Sequence, residues 1–433
     1  MKTYIIPLIS IAIVLTSIAS CKRDKEAPID TTVNYSAEMV LKWNEAGTKA
    51  VTAIGGVPPM TESRIYAMIN LAMHDALNNI AQKYDIYAFS ATIVKDADPD
   101  AAVAQAAHDV MVLQLPPAQQ TTANDLLTAS LAGIADGDSK SKGISIGKAA
   151  AKAITDKRAN DGAAAAQYPF TPGSLPGEYR ATPPFDMPPL TGFVMLPGWG
   201  KVQPFGLTSV SQFRAAAPYA INSPEYTADF NEIKTMGCMG CTARSTEQTQ
   251  IGLFWLDNVP LSWNRIARSL IIEKKLDGWK AARILALLQM AEADANISAF
   301  DGKYFYNYWR PISAVRLGDQ DGNANTAGDP AWNILAPPTP PVPDYPSNHA
   351  VDGGAAAEVL KGCFNTDAVS FSASSNALPD VTRSFNNFSD AAREVSLSRI
   401  YVGFHFRHAV EVGESQGRKV GNYIFQNCLK ARN

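Results

Sequence analysis

The sequence predicts an all-α protein, built from helical bundles and interrupted by long loops rich in proline and glycine. Apolar residues recur at intervals of three and four along most of the chain, which is the period of a helix with one buried face. Strictly alternating runs, which would indicate strands, are few. With 46% hydrophobic and 18% charged residues over 433 positions, the composition is that of an ordinary globular protein.

The N-terminus has the features of an export signal over residues 1–21. Lys2 precedes the apolar run 4–15, and small residues then lead to Cys21. The run is too short to span a bilayer comfortably. Ile-Ala-Ser-Cys resembles a bacterial lipoprotein box, which implies that Cys21 is lipidated, and ordinary secretory cleavage nearby is the alternative. Residues 22–35 have the composition of a polar tether, so we expect an exported protein anchored by lipid to the bacterial cell envelope.

Residues 36–433 are predicted to form one helical domain, because no internal repeat and no Ser/Gly-rich linker divides them. Two stretches, 161–220 and 317–345, are crowded with proline and glycine and are predicted to be long ordered loops, which often carry function. The helical period predicts helices over 36–53, 61–83, 99–115, 117–132, 144–160, 223–235, 246–258, 262–276, 278–308, 350–360, 389–404 and 410–429.

The charge balance excludes some partners. A formal net charge of −3 leaves no basic stripe for nucleic acid, so nucleic acid is not expected as a partner. Any cationic pocket must therefore be local.

Four cysteines remain after Cys21, and disulfides are the default for an even number in an exported chain. Four cysteines allow three pairings, and we favour Cys238 with Cys241 and Cys363 with Cys428. A zinc site at Cys238 and Cys241 is the alternative, although no second Cys/His pair lies near them in sequence.

The polar residues of interest begin at the start of a predicted helix in the stretch 344–358. Ser347, Asn348 and His349 end a proline-rich approach and open an alanine-rich helical run. A helix N-terminus presents unpaired backbone N–H groups and a positive dipole end, so this stretch suits an oxyanion.

Two further segments supply cations. Lys303 and Arg310 are seven residues apart, which is two helical turns and hence one face, before Pro311 ends or kinks the helix. Arg399 and His405 are six residues apart, about 120° off one face, so they converge only if the helix loosens near Gly403 or the arginine reaches round. Taken singly, such charges are more often a solvated face, and such a histidine is more often part of a core.

Together these segments form a specific pattern. Lys-x6-Arg-Pro, Pro-Ser-x-His and Ser-Arg-x5-His, in this order, resemble the signature shared by type 2 phosphatidic acid phosphatases and vanadium-dependent haloperoxidases. The stretches 65–79, 104–109, 291–310 and 337–349 are similar to the soluble bacterial haloperoxidase branch. The resemblance therefore covers most of the chain and implies the helical-bundle fold of that superfamily.

The resemblance also implies residue roles, all within 290–412. His405 would bind vanadium through a ring nitrogen, and His349 would assist proton transfer while hydrogen peroxide oxidises a halide. The groups implied to bind the vanadate or phosphate oxygens are the side chains of Lys303, Arg310, Ser347 and Arg399 and the backbone N–H of Asn348.

Other functions stay open. In a phosphatase, His405 would attack the phosphorus of a phosphate monoester and His349 would protonate the leaving alcohol, with no cofactor. A non-catalytic, oxyanion-binding surface lipoprotein is the third interpretation. Monomer and homodimer are both open.

Three positions depart from the family pattern. Asn348 stands where glycine is usual, so its side chain is expected near the anion. Ala409 stands where an aspartate commonly orients the axial histidine, so Glu411 or a group elsewhere would have to replace that carboxylate. Val342 stands where chloride- and bromide-oxidising relatives tend to carry Phe or His, so the halide is not predicted.

Several other motifs carry less weight. A metal site on His405, His408 and Glu411 is disfavoured because the third residue faces away on a helix. The pairs His74-Asp75 and His108-Asp109 are interpreted as helix-packing contacts. A nucleophile-elbow pattern at 413–417 lacks the preceding strand, and the calcium-like stretch 319–323 lacks its closing glutamate.

Overall fold

The computed structural model describes Met1 and residues 35–432. The predicted export signal, the lipidation site Cys21 and all but the last residue of the tether 22–35 lie outside the described residues. None of the helices in the described part of the chain is long and apolar enough to cross a membrane.

The all-α prediction is confirmed: thirteen α-helices, three short 3-10 helices and one short hairpin make up the regular structure of the described residues. The helices are α1 (Glu38–Thr52), α2 (Pro59–Asn78), α3 (Pro99–Gln114), α4 (Pro117–Ala132), α5 (Asp138–Arg158), α6 (Pro224–Met236), α7 (Thr246–Phe254), α8 (Val259–Glu273), α9 (Gly278–Tyr306), α10 (Pro311–Arg316), α11 (Asn348–Phe364), α12 (Phe388–Tyr401) and α13 (Arg407–Asn427). The strands β1 (Phe371–Ser374) and β2 (Thr382–Phe385) pair antiparallel.

Each predicted helix corresponds to an observed α-helix; α4 has the predicted bounds, and the ends of the others differ. The sequence did not predict α10, which is a six-residue helix begun by Pro311, the β1–β2 hairpin or the three short 3-10 helices. In the hairpin, Phe371 opposes Phe385 and both pack on the core, so two four-residue strands suffice when a neighbouring bundle covers one face. The assignment of residues 36–433 to one domain stays a prediction.

Helix α9 is the centre of the molecule and packs against α2, α11 and α13. Nearly its whole length is buried, including polar residues such as Gln289, Glu292 and Asn296. A helix buried on all sides belongs to the interior of a large core. Its C-terminal end carries Lys303, so the core itself positions this cation.

Helices α11 and α13 pack backbone to backbone through small residues. A methyl group on Gly417 would lie 2.0 Å from the carbonyl oxygen of Val351, and one on Gly421 would lie 2.3 Å from that of Ala355. This contact sets the first turns of both helices side by side, and the Ser347 N–H donates to the carbonyl of Ala409 at 2.9 Å. The start of α11 is thereby held beside the segment that carries His405.

The two predicted loop stretches are ordered, as expected. In the first, the buried carboxylate of Asp294 accepts the backbone N–H groups of Phe205, Gly206 and Leu207 at 2.6–2.8 Å, which ties the loop to α9. In the second, the Leu335 N–H donates to the carbonyls of Gly237 and Val402. Both loops are thus fastened to helices around the site.

One predicted disulfide is present and the other is not. Cys238 and Cys241 are bonded, which leaves their thiols unable to hold zinc. The predicted Cys363–Cys428 bridge is wrong, because both cysteines are free. The Cys428 sulfur packs against Gly206, whereas the Cys363 thiol lies in the field of Arg283, so the two side chains have different neighbours.

Candidate active site

Three segments bring the predicted site residues to one cavity. They are the α9–α10 connection, the first turn of α11 and the α12–α13 connection. Lys303, Arg310, Asn348, His349, Arg399 and His405 line this cavity of about 480 Å³. Ser347, the seventh predicted residue, does not line it and is fully buried beside Asn348.

Lys303 and Arg310 converge across a turn. Helix α9 ends at Tyr306, Asn307 takes a left-handed conformation (φ 47°), and Arg310 is the residue that precedes α10. The prediction that the two cations share one helix face was therefore wrong in its geometry. They come together because the chain reverses between two helices, and Pro311 starts a helix there.

Lys303 has all three ammonium protons engaged. Its Nζ donates to the carbonyl oxygens of Pro343, Asp344 and Pro346 at 2.8, 2.9 and 2.7 Å. Burial and the charge of Arg310 lower the pKa of Lys303 well below its ordinary value. In this geometry Lys303 holds the loop before α11 and contributes its charge to the cavity.

Arg310 is held in the same way by the loop backbone. Its Nε donates to the carbonyl of Val342 at 2.7 Å, and Nη1 donates to that of Phe404 at 2.9 Å. Nη1 also lies 3.0 Å from Nε2 of His405. Burial lowers the pKa of Arg310, but a guanidinium keeps its proton at any physiological pH.

Arg399 and His405 are brought together by a break in the helix. Helix α12 ends at Tyr401, and Gly403 adopts φ 84°, where a methyl group would lie 2.5 Å from the Gly237 carbonyl oxygen. Of the two possibilities that the sequence left open, loosening of the helix near Gly403 is the one observed. Arg399 donates to Ser398 Oγ at 3.0 Å and to the Trp255 carbonyl, and burial with Arg310 nearby lowers its pKa to about 9.

His405 has a carboxylate partner that sequence reasoning missed. Its Nδ1 lies 2.8 Å from Oδ1 of Asp344, although the pair is not aligned as a hydrogen bond. Nη1 of Arg310 lies 3.0 Å from Nε2 and 3.4 Å from Nδ1, and the Asp344 carboxylate beside Nδ1 favours the ring proton on that atom, which leaves the lone pair on Nε2. Burial and the surrounding cations lower the pKa of His405 well below its ordinary value, so the ring is neutral.

Asp344 is the carboxylate beside His405 that the usual position, here Ala409, does not provide. Glu411, the carboxylate closest in sequence, pairs instead with Arg393 and Arg407 on the protein surface. Asp344 comes from the loop before α11, and burial raises its pKa to about 7 against the opposing pull of Arg310 and Lys303. The only signal in the sequence was its place three residues before Ser347.

The first turn of α11 offers unused donors and an unused base. Ser347 precedes the helix, yet its hydroxyl makes no capping bond and has no partner. The His349 ring bonds to the backbone of Asp257, while its Nε2 has no partner. Burial and Arg399 lower the pKa of His349 well below its ordinary value, so it is a neutral base.

Asn348 turns away into α9. Its Nδ2 donates to Oδ1 of Asn296 at 2.6 Å, and Asn296 in turn donates to Asp352 at 2.8 Å. Burial raises the pKa of Asp352 well above its ordinary value, so this carboxyl, which also lines the cavity, is held neutral.

The charge balance of the cavity is strongly positive. Three cations, each at most 1% exposed, meet here. Among the described residues, Asp344 is the one carboxylate within 4.0 Å of any of them, at 3.9 Å from Arg310. Buried charge without a counter-charge is costly. The arrangement therefore defines a site for an anion.

The weaker motifs do not form competing sites. His408 stacks on Tyr219, with ring centroids 3.8 Å apart, and so leaves His405 without a second ligand. His74 and His108 each contact the aspartate that follows them, as interpreted from the sequence. Within residues 35–432, no cluster of three His, Cys, Asp or Glu side chains could hold a metal ion.

The protein is thus a mostly helical bundle with a buried pocket, lined by cations, that suits an oxyanion. The family model for the second helical-bundle domain of VCPO matches residues 283–433. Vanadium chloroperoxidase from Curvularia inaequalis is 27% identical, with 78% of this chain and 67% of that protein covered.

Solved structures of two bacterial vanadium-dependent peroxidases superpose on most of this chain. A bacterial vanadium-dependent iodoperoxidase superposes with a TM-score of 0.78 at 25% identity, covering 94% of this chain and all of that one. A holo-type bacterial vanadium-dependent chloroperoxidase superposes with a TM-score of 0.71 at 17% identity, covering 92% of this chain and 98% of that one. The chain therefore resembles the vanadium haloperoxidases of the PAP2-like superfamily in sequence and fold, and these relatives indicate that it is an enzyme.

Proposed function

We propose that this enzyme oxidises a halide with hydrogen peroxide at a vanadate held by the predicted site residues. The observation that carries the proposal is the excess of buried positive charge around His405, with Asp344 alone to offset it. The relatives named as vanadium chloroperoxidase and iodoperoxidase support the same chemistry.

The residues present fit a tetrahedral oxyanion. Ser347 Oγ is a buried hydroxyl with no partner. Nε2 of His405 is the ring nitrogen that does not face Asp344, so it is the one that can bind an oxyanion. The backbone N–H groups of the first turn of α11 add donors that no helical carbonyl can satisfy. The Lys303 ammonium already donates to three carbonyl oxygens, so an oxyanion could accept a hydrogen bond from it only by displacing one of them.

Each residue has a role that follows from its contacts. Arg310, Arg399 and Lys303 would neutralise the oxyanion, Ser347 and the Asn348 N–H would orient it, and His405 would hold it through Nε2. Bound vanadate supplies a Lewis acid that activates hydrogen peroxide toward a halide ion. Preorganised charges of this kind act strongly in a site from which water is excluded.

His349 would move the protons. Its unpartnered Nε2 lines the cavity, and its pKa is lowered mainly by burial and by Arg399. An anion bound beside it would offset that positive field and raise the pKa again. The ring could then accept a proton from hydrogen peroxide and return it to the oxygen that leaves.

The experiment is a halide-oxidation assay on purified protein that lacks residues 1–21. We expect oxidation of iodide or bromide by peroxide to appear when orthovanadate is added to vanadate-free protein, and to disappear in His405→Ala. Hydrolysis of a phosphate monoester is measured in parallel. Hydrolysis without halide oxidation would replace the proposal with the phosphatase, and silence in both assays would leave an oxyanion-binding protein.

Location remains a proposal from residues 1–35 alone. The lipoprotein-like sequence ending at Cys21 would place the enzyme on the cell envelope, with the tether 22–35 holding the helical domain beside the membrane.

A further inference from the structure

The cavity is much larger than the proposed reaction requires. Hydrogen peroxide and a halide ion are very small, whereas about 480 Å³ lies within the range of pockets that bind organic ligands. The cations and histidines account for only part of its lining. The remaining lining is mostly apolar and comes from Pro59, Met60, Phe185, Met195, Leu256, Phe300, Ala336, the prolines at 337, 338, 340 and 341, Val342 and Phe404.

The apolar lining is a wall formed by two long loops, which hydrogen bonds join to each other and to α9. Met195 in the first long loop donates its N–H to the carbonyl of Pro341 in the second, at 2.9 Å. The hydroxyl of Tyr304 on α9 donates to the Met195 carbonyl at 2.5 Å. Two loops far apart in sequence are therefore joined to each other and to the central helix, with apolar side chains toward the cavity.

The wall continues to the surface through aromatic residues. The ring of Phe185, which lines the cavity, lies 5.7 Å from the ring of Phe193. Phe193 is 39% exposed, and Met187 and Leu190 in the same loop are 55% and 43% exposed. Large apolar side chains left in water at the mouth of a pocket mark a binding surface.

We propose that this apolar wall binds the organic acceptor of the halogen, and that the acceptor is a small, uncharged aromatic compound. The inference rests on the proposed function, which supplies the oxidised halogen. Phenylalanine rings and methionine sulfur both make favourable contacts with an aromatic ring. An acceptor bound here lies in the same cavity as His349 and His405, where the halogen is oxidised.

Hydrogen peroxide, the halide ion and one proton from solvent give a hypohalous acid and one molecule of water, so the two electrons lost by the halide reduce the peroxide. The ring carbon then forms a bond to the halogen as the oxygen–halogen bond breaks. The ring loses a proton, which combines with the released hydroxide to give water.

The first test is direct binding of thymol, a small neutral phenol, to vanadate-free protein. We expect saturable binding by calorimetry, weakened about tenfold in Phe185→Ala because an apolar contact is lost. Leu175→Ala is the matched control, since Leu175 is an exposed apolar residue of the same long loop, 161–220, and does not line the cavity. Absence of saturable binding, or equal binding by wild type and Phe185→Ala, would overturn the proposal.

The second readout is the ratio of thymol halogenation to iodide oxidation in the vanadate-loaded enzyme. We expect this ratio to fall severalfold in Phe185→Ala and in Met195→Ala, and to stay at the wild-type value in Leu175→Ala. An unchanged ratio in both cavity variants would mean that halogen transfer occurs in solution, and would overturn the proposal. Thymol binding without any halide oxidation would instead support this acceptor site and contradict the proposed function.

Discussion

Asp344 shows how one buried carboxylate can substitute for a residue that the usual position lacks. Ala409 cannot orient His405, but Asp344 lies 2.8 Å from its Nδ1. A carboxylate at this place favours the ring proton on Nδ1, which would leave Nε2 to bind the proposed oxyanion. Partners of this kind set the tautomer and basicity of a ligand histidine.

Replacing Asp344 by Asn tests this role. We expect the vanadate concentration that gives half-maximal halide oxidation to rise by about 10- to 100-fold, the usual cost of losing such a partner. In vanadate-free protein, nitrogen NMR of the His405 ring should show less of the Nδ1-protonated tautomer.

Glu411→Ala is the control for the Asp344 variant. Glu411 is the carboxylate that sequence alone would have chosen, and it pairs with arginines at the surface. We expect wild-type vanadate dependence from it. A wild-type result for Asp344→Asn, or a comparable loss in Glu411→Ala, would show that Asp344 does not orient His405.

The limits of sequence reasoning are clearest at this scale. The motif pattern led us to expect that Lys303, Arg310, His349, Arg399 and His405 come together, and all five line one cavity. Asp344 could not be predicted, because its contact with His405 joins two loops that are distant in sequence. The prediction of a Cys363–Cys428 bridge was wrong for the same reason. An even number of cysteines suggests disulfides, but it does not show which cysteines are neighbours in the fold.

At the scale of elements, the site depends on the close contact of α11 and α13. The two helices touch through glycines, and their first turns carry the Ser347–Ala409 backbone bond. The sequence predicted both helices from their periodicity. It could not predict their separation, since whether a glycine lies at a helix contact or on a surface is a property of the packed structure.

Gly417→Ala tests this contact. Alanine favours a helix over glycine by about 1 kcal/mol. Against that gain, the new methyl group would lie 2.0 Å from the Val351 carbonyl, so the helices must part. We expect a net loss of about 1–3 kcal/mol in the free energy of unfolding, measured by urea denaturation.

Gly133→Ala is the control for helix packing. Gly133 follows α4 with φ −77°, and a methyl group there would come no closer than 3.7 Å to another atom. We expect its stability to match or exceed that of the wild type. If Gly417→Ala were equally stable, the α11–α13 contact would be adaptable and would not set the site geometry.

At the scale of the whole molecule, a helical core supports a site made almost entirely from its loops and helix ends. The core helix α9 carries Lys303, and the two long proline-rich loops form the walls. The sequence predicted the helical core and the importance of both loops. It missed the β1–β2 hairpin, because two four-residue strands give too short an alternation to stand out.

The central claim is that the buried cations around His405 form one oxyanion site. The most direct measurement is calorimetric titration of vanadate-free protein with orthovanadate, for the wild type, Arg399→Ala and His405→Ala. We expect one vanadate per wild-type chain and at least tenfold weaker binding in each variant, since each loses a charged or coordinating contact. Failure of the folded wild type to bind vanadate, or wild-type affinity in His405→Ala, would contradict this claim.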